Sequence, residues 1–203
     1  MADYAALSYS IAIFALATSV TPGPNNLMLL ASGVNFGFKQ SIPHAVGVTT
    51  GFFVMLLAVG FGLNGLFQAF PVMYQIMKVL GFAYLLYLAW GVATSDPLPE
   101  RGQLIAGSTP LGFWGAVAFQ AVNPKAWMIA VSFSSNYLPQ HAAVWFMFFG
   151  CLLVSIVNFP SICIWLWMGT RLEQALRDPI RKRIFNWVMA SLLIASMLPV
   201  LWL

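Results

Sequence analysis

The chain has 203 residues, 61% of them hydrophobic and only 7% charged, against roughly 25% charged in an ordinary soluble domain. Nine basic and five acidic residues cannot cover the surface of a soluble protein this size, so lipid must solvate most of the exterior. The net charge of +4 is concentrated in R-D-P-I-R-K-R at 177–183, which suits a cytoplasmic loop beside lipid headgroups and excludes a nucleic-acid binder.

A spanning helix needs about 20 predominantly apolar residues, and six such segments follow in chain order: roughly 7–33, 42–66, 71–93, 111–134, 142–168 and 184–202. The N-terminus carries Asp3 and no basic region, so the first segment reads as retained rather than as a cleaved signal. Inside it stands S-V-T-P-G-P-N-N-L, residues 19–27. Pro22 and Pro24 lack N–H groups and their rings obstruct the preceding turn, and Gly23 permits backbone angles closed to other residues. The segment should therefore split after Thr21 into two half-helices, with Pro24 suited to the first turn of the second. Free backbone at membrane depth is tolerated only where it lines a cavity or is buried in protein. The start of the second half favours a carboxylate, and Asn25 and Asn26 add amide groups at the same level. The plainer alternative is a proline kink packed against its neighbours.

G-F-K-Q-S around Lys39 joins the first segment to the second. His44, at the start of the second, reads as a solvated or capping residue rather than a proton relay. Gly47 and Gly51 form a small-residue surface for close helix contact. Asn64 reads as interfacial. The third segment runs into a polar stretch, D-P-L-P-E-R-G-Q, at 96–103.

The fourth segment holds A-V-N-P-K-A at 121–126. A cation at such depth costs about 2.5–3.5 kcal/mol on insertion scales, and no Asp or Glu occurs between Asp3 and Asp96 or between Glu100 and Glu173 to partner Lys125. Such a lysine invites an anionic ligand group; the alternative is a lysine held by carbonyls freed at Pro124. Asn158, just before Phe159-Pro160 in the fifth segment, marks another helix distortion and either lines a cavity or bonds between helices. Cys151 and Cys163 lie about 18 Å apart along one helix, beyond disulfide reach, and read as packing residues. Trp165, Trp167 and Trp202 suit an interfacial belt.

Setting residues 19–26 beside 121–128 aligns Val20 with Val122 and Pro22 with Pro124, with Thr21 and Asn123 as the preceding polar residues. Each motif opens a three-segment half, so the halves, approximately 1–93 and 108–203, have opposite membrane orientation. The expected architecture is an all-α integral membrane protein: one domain over 1–203, six transmembrane helices as two inverted repeats, with the first and fourth helices broken. Transporters place substrate sites at such interfaces. Seven Lys and Arg residues fall after segments one, three and five, which puts both termini outside.

T-P-G-P-N-N at 21–26, G-F-K-Q-S at 37–41, G-F-A-Y-L-L-Y-L-A-W at 81–90 and V-N-P-K-A at 122–126 resemble the LysE-type amino-acid exporter family, the lysine and homoserine/threonine efflux group. T-P-G-P-N-N-L, the 89–95 stretch and Y-L-P-Q at 137–140 look most similar to its cysteine/O-acetylserine branch. The resemblance implies secondary export of amino acids or close metabolites across the bacterial inner membrane, driven by the proton gradient. One departure is G-V-A-T-S-D-P at 91–97, where the family usually has a basic cluster.

The expected substrate is a small zwitterionic amino acid, bound by Thr21, Pro22, Gly23, Pro24, Asn25, Asn26, Asn123, Pro124, Lys125 and Asn158. No cofactor, metal, nucleic acid or enzymatic motif is expected; membrane lipid is the expected surround, and a homo-oligomer is allowed. Two other classes are a structural or assembly subunit and a membrane thiol-electron carrier. The latter needs a cysteine in each half, and here both lie in the fifth segment.

Overall fold

The computed structural model describes residues 4–63, 71–95, 109–138, 143–176 and 178–196. Asn64, Arg101, Arg177, Trp202, the 96–103 stretch and most of the turn at 138–141 lie outside the described residues.

Among the described residues, seven α-helices follow in order: α1 (Tyr4–Val20), α2 (Pro24–Ala58), α3 (Pro71–Ala93), α4 (Phe113–Val122), α5 (Pro124–Tyr137), α6 (Val144–Ala175) and α7 (Pro179–Ala195). A π-helical turn, Val59–Leu63, extends α2. The chain leaves helix at residues 21–23 and again at 123, so both breaks expected from the prolines are present.

α2 is two limbs meeting at Gly37, whose φ of 77° and ψ of 173° are open only to glycine without strain. The hydroxyls of Ser32 and Ser41 bond at 2.9 Å across this point. In a straight helix these residues would lie about 13 Å apart along the axis, so the chain doubles back there. The joint expected around Lys39 is thus one glycine wide.

One expectation needs correction. The long joint expected over 169–183 shrinks to a few residues, because α6 continues to Ala175 and α7 begins at Pro179. The local cause is Asp178, whose carboxylate accepts from the Ile180 N–H at 2.8 Å and caps α7 with proline in its first turn. Lys182 consequently sits in the helix and is buried. The α6 helix continues across Pro160, whose missing N–H removes one bond of its ladder.

α2 packs most heavily on α6 and α4, with backbones meeting at small residues. A Cβ at Gly33 would lie 2.3 Å from Leu166 O, and one at Gly169 would lie 2.2 Å from Leu30 O. On the second limb, Gly47 sits against Phe113 O and Gly51 against Val117, the close contact expected of that pair. One apolar cluster joins α1, α2, α5 and α6 through Ile11, Leu56, Phe133 and Val154; another joins α3, α4 and α7 through Leu85, Phe119 and Leu193. Cys151 is in the first cluster, Cys163 is half-buried against a third, and both are free thiols.

The outside is apolar too. Val79, Trp90, Trp114, Ile156 and Ile164 are all more than half exposed, a display soluble proteins avoid. α2 through Gly62 and α6 are each long and apolar enough to cross a membrane.

Candidate functional site

The first break ends α1. Thr21 keeps one more helical bond, N–H to Ala17 O at 3.3 Å, and Pro22 then stops the ladder. Gly23 is fully extended, φ −175° and ψ 177°, a conformation any residue adopts. This corrects the expectation that glycine is needed there for its backbone angles. It gives space instead: a Cβ would lie 2.6 Å from Lys125 Cδ and 3.2 Å from its Nζ, so a larger residue would make the lysine side chain shift.

The carbonyls freed at the end of α1 are taken up by side chains. Asn26 Nδ2 donates to Ser19 O at 2.8 Å and to Thr21 O at 2.9 Å. Lys125 Nζ donates to Thr21 O and, at 3.3 Å, to Pro22 O. A helix C-terminus carries partial negative charge, so the lysine's company is electrostatically sensible without a carboxylate. The carbonyls that hold it belong to the first break, not to Pro124 as the alternative expectation had it.

The two helix starts differ. α5 is capped by Asn123, whose Oδ1 accepts from the N–H groups of Lys125 at 3.1 Å and Ala126 at 3.4 Å. α2 begins at Pro24 behind Gly23 and has no side-chain cap, which leaves the N–H groups of its first turn without a side-chain acceptor. Beside it, Asn25 and Gln120 exchange two amide bonds of 2.9 and 3.0 Å, tying one broken helix to the other. Gln120, also bonded to Ala116 O and 1% exposed, was not among the expected site residues. Its sequence signal is an amide three residues before Asn123 in an otherwise apolar run.

Asn158 reaches in from α6. Its Nδ2 donates to Ser19 Oγ at 2.9 Å, while its Oδ1 is buried with no hydrogen-bond partner among the described residues. Gly23, Asn25, Asn26, Asn123, Lys125 and Asn158 line one cavity. Thr21 and Pro22 contribute carbonyls behind it, and Pro24 and Pro124 start the two helices. Lys125 is the one formally charged residue among the described lining residues. The cavity measures about 30 Å³, about one water molecule's share of liquid volume, so a larger guest needs the breaks to move apart.

The LysE type translocator profile matches residues 16–197. The cysteine/O-acetylserine efflux proteins of Salmonella typhimurium (strain LT2) and Escherichia coli (strain K12) are each 35% identical to this chain over 184 residues, 89% of this chain and 90% of theirs. The protein of that name from Escherichia coli O139:H28 is 36% identical over the same length. No solved structure matches the chain. With a match over nearly its whole length, the chain belongs to the LysE type translocator family of membrane transport proteins and is not an enzyme.

Proposed function

We propose that this chain is a secondary transporter that exports a small zwitterionic amino acid, of the cysteine and O-acetylserine class, from the bacterial cytoplasm. The carrying observation is that the two breaks face each other, with a single cation, an uncapped helix start and an unpartnered amide oxygen around one cavity. The substrate carboxylate would take the Lys125 ammonium and the first N–H groups of α2. Its ammonium would take Asn158 Oδ1. Asn25, Asn26 and Asn123 complete the polar wall.

In this account α1 with the first limb of α2, the second limb of α2, and α3 are three spans of one half. The α4–α5 pair, α6 and α7 are three spans of an inverted second half. Support comes from the opening of each half with a break, and from the junction of the two breaks through Asn25–Gln120 and Lys125. The basic residues at the start of α7 and Lys39 just past Gly37 support a cytoplasmic position for those ends, with both termini outside. Rocking of the halves would open the small cavity to each side in turn, with the proton gradient as driving force.

Counterflow in proteoliposomes tests this. Vesicles loaded with unlabelled O-acetylserine should accumulate labelled O-acetylserine and cysteine, and an imposed pH gradient should drive net movement. Equilibration no faster than in protein-free vesicles would sink the proposal.

A further inference from the structure

The roomier polar cavity is not at the breaks. About 330 Å³ opens between the first limb of α2, the C-terminal end of α3 and residues 109–112, at the lower edge of the size range of small-molecule sites. His44, from the second limb, lines it. The imidazole is 2% exposed, and neither Nδ1 nor Nε2 has a hydrogen-bond partner among the described residues. It is thus neither solvated nor a cap, contrary to the sequence expectation. A neutral imidazole has one N–H to donate and one lone pair to fill, and burying both unpaired is costly enough to require an explanation.

The polar neighbours do not supply one. Ser32 is paired with Ser41 at 2.9 Å. Asn35 donates to Ala31 O at 2.9 Å and to Asn186 Oδ1 at 2.8 Å, and accepts from Asn186 Nδ2 at 3.2 Å. Asn186 also donates to Ser95 O at 3.1 Å. His44 is left over, and no Asp, Glu, Lys or Arg is among the described residues lining the cavity. The Asn35–Asn186 pair sets the cavity against the start of α7, just past Arg181, Lys182 and Arg183, the end that basic residues place in the cytoplasm.

We propose that this cavity is a cytoplasm-facing entry site that takes the cargo before it reaches the breaks, with His44 as the group that reads it. The assignment rests on the exporter function proposed above and adds a second, separate site to it. Both ring nitrogens are buried, so the imidazole would turn toward the cavity to offer a donor to the carboxylate or an acceptor to the ammonium of an amino acid. Described walls without formal charge fit a molecule of zero net charge. A cationic amino acid would bring a second ammonium against a lining with no counter-charge among the described residues, so selection for net-neutral cargo begins here.

The test uses full-length protein carrying His141→Gln, which leaves His44 as its single histidine. Diethyl pyrocarbonate should acylate His44, and saturating O-acetylserine should slow that at least fivefold. Lysine at equal concentration should not, with the reagent consumed by each free amino acid measured and the rates corrected to equal remaining reagent. Protection should persist with Lys125→Met added, because that residue belongs to the other cavity. Independently, Gly91 lines the entry site and a Cβ there meets nothing within 4 Å. Gly91→Leu should therefore keep its melting temperature while the KM for uptake into inside-out vesicles rises at least tenfold. Failure of the reagent to reach His44, equal protection by lysine, or a wild-type KM in Gly91→Leu overturns the entry site. Absence of O-acetylserine transport by the unmodified chain overturns the exporter function instead.

Discussion

Replacing Lys125 with methionine removes the ammonium and keeps a flexible stem of similar length. Two terms in folding change with opposite sign. The hydrogen bonds from Nζ to Thr21 O and Pro22 O are lost, and a bond to a charged group contributes about 1.5–3 kcal/mol. The cost of keeping a cation at membrane depth, about 2.5–3.5 kcal/mol, is lost with it. Thr21 O still accepts from Asn26 Nδ2 at 2.9 Å, so only Pro22 O loses its described partner. With one carbonyl losing its partner, the two terms differ by no more than about 2 kcal/mol, and the melting temperature should move by no more than about 8 °C, given roughly 2–4 °C per kcal/mol for a chain this size. Transport has no such cancellation. Losing one charged bond to the substrate carboxylate at about 1.5–3 kcal/mol raises KM roughly 10- to 150-fold. The assay pairs thermal unfolding in detergent with initial rates of O-acetylserine counterflow. A wild-type KM would remove Lys125 from the substrate site. A fall of more than about 10 °C in melting temperature would make it a brace for the end of α1.

Two further outcomes follow from packing and pairing. Asn25→Leu and Gln120→Leu each strand the partner's amide, and each should destabilise by about 1–3 kcal/mol. The double variant should cost less than the sum by roughly 1 kcal/mol, and strict additivity in thermal unfolding would show that the pair is not an energetic unit. Gly169→Ala sets a Cβ 2.2 Å from Leu30 O, which is backbone and cannot step aside, so α2 and α6 must part at a cost of about 1–3 kcal/mol or more. Gly112→Ala, where a Cβ meets nothing within 4 Å and the backbone is ordinary (φ −71°), should stay within about 0.5 kcal/mol. Equal melting temperatures for these two variants would contradict the packing described.

Much of the candidate site was legible because it is written in breakers. Pro22, Pro24 and Pro124 disrupt helices for local reasons, and the structure leaves helix at 21–23 and 123. Gly47 and Gly51 were legible because their four-residue spacing puts them on one helix face. What sequence did not show depends on partners far along the chain. The amide of Gln120 gains its meaning from Asn25, 95 residues away, and Asn35 from Asn186, 151 residues away; no local periodicity carries such a pairing. His44 misled because proximity to a joint suggested water, whereas the fold-back at Gly37 turns the second limb along the first and leaves this residue buried on a cavity wall. Gly23 misled in a different way. Its residue type was correctly marked as special, but it yields room to Lys125 rather than an unusual φ.

The most direct test of where the substrate carboxylate sits is a cycle in which both partners of the contact are changed. KM for counterflow is measured for an amino acid and for its carboxamide, with unmodified protein and with Lys125→Met. In the unmodified protein the carboxamide should be the poorer substrate by roughly 10-fold or more, the loss of one charged hydrogen bond. In Lys125→Met that preference should largely vanish. The same preference in both proteins would mean that the carboxylate does not meet Lys125 and that the facing breaks bind something else.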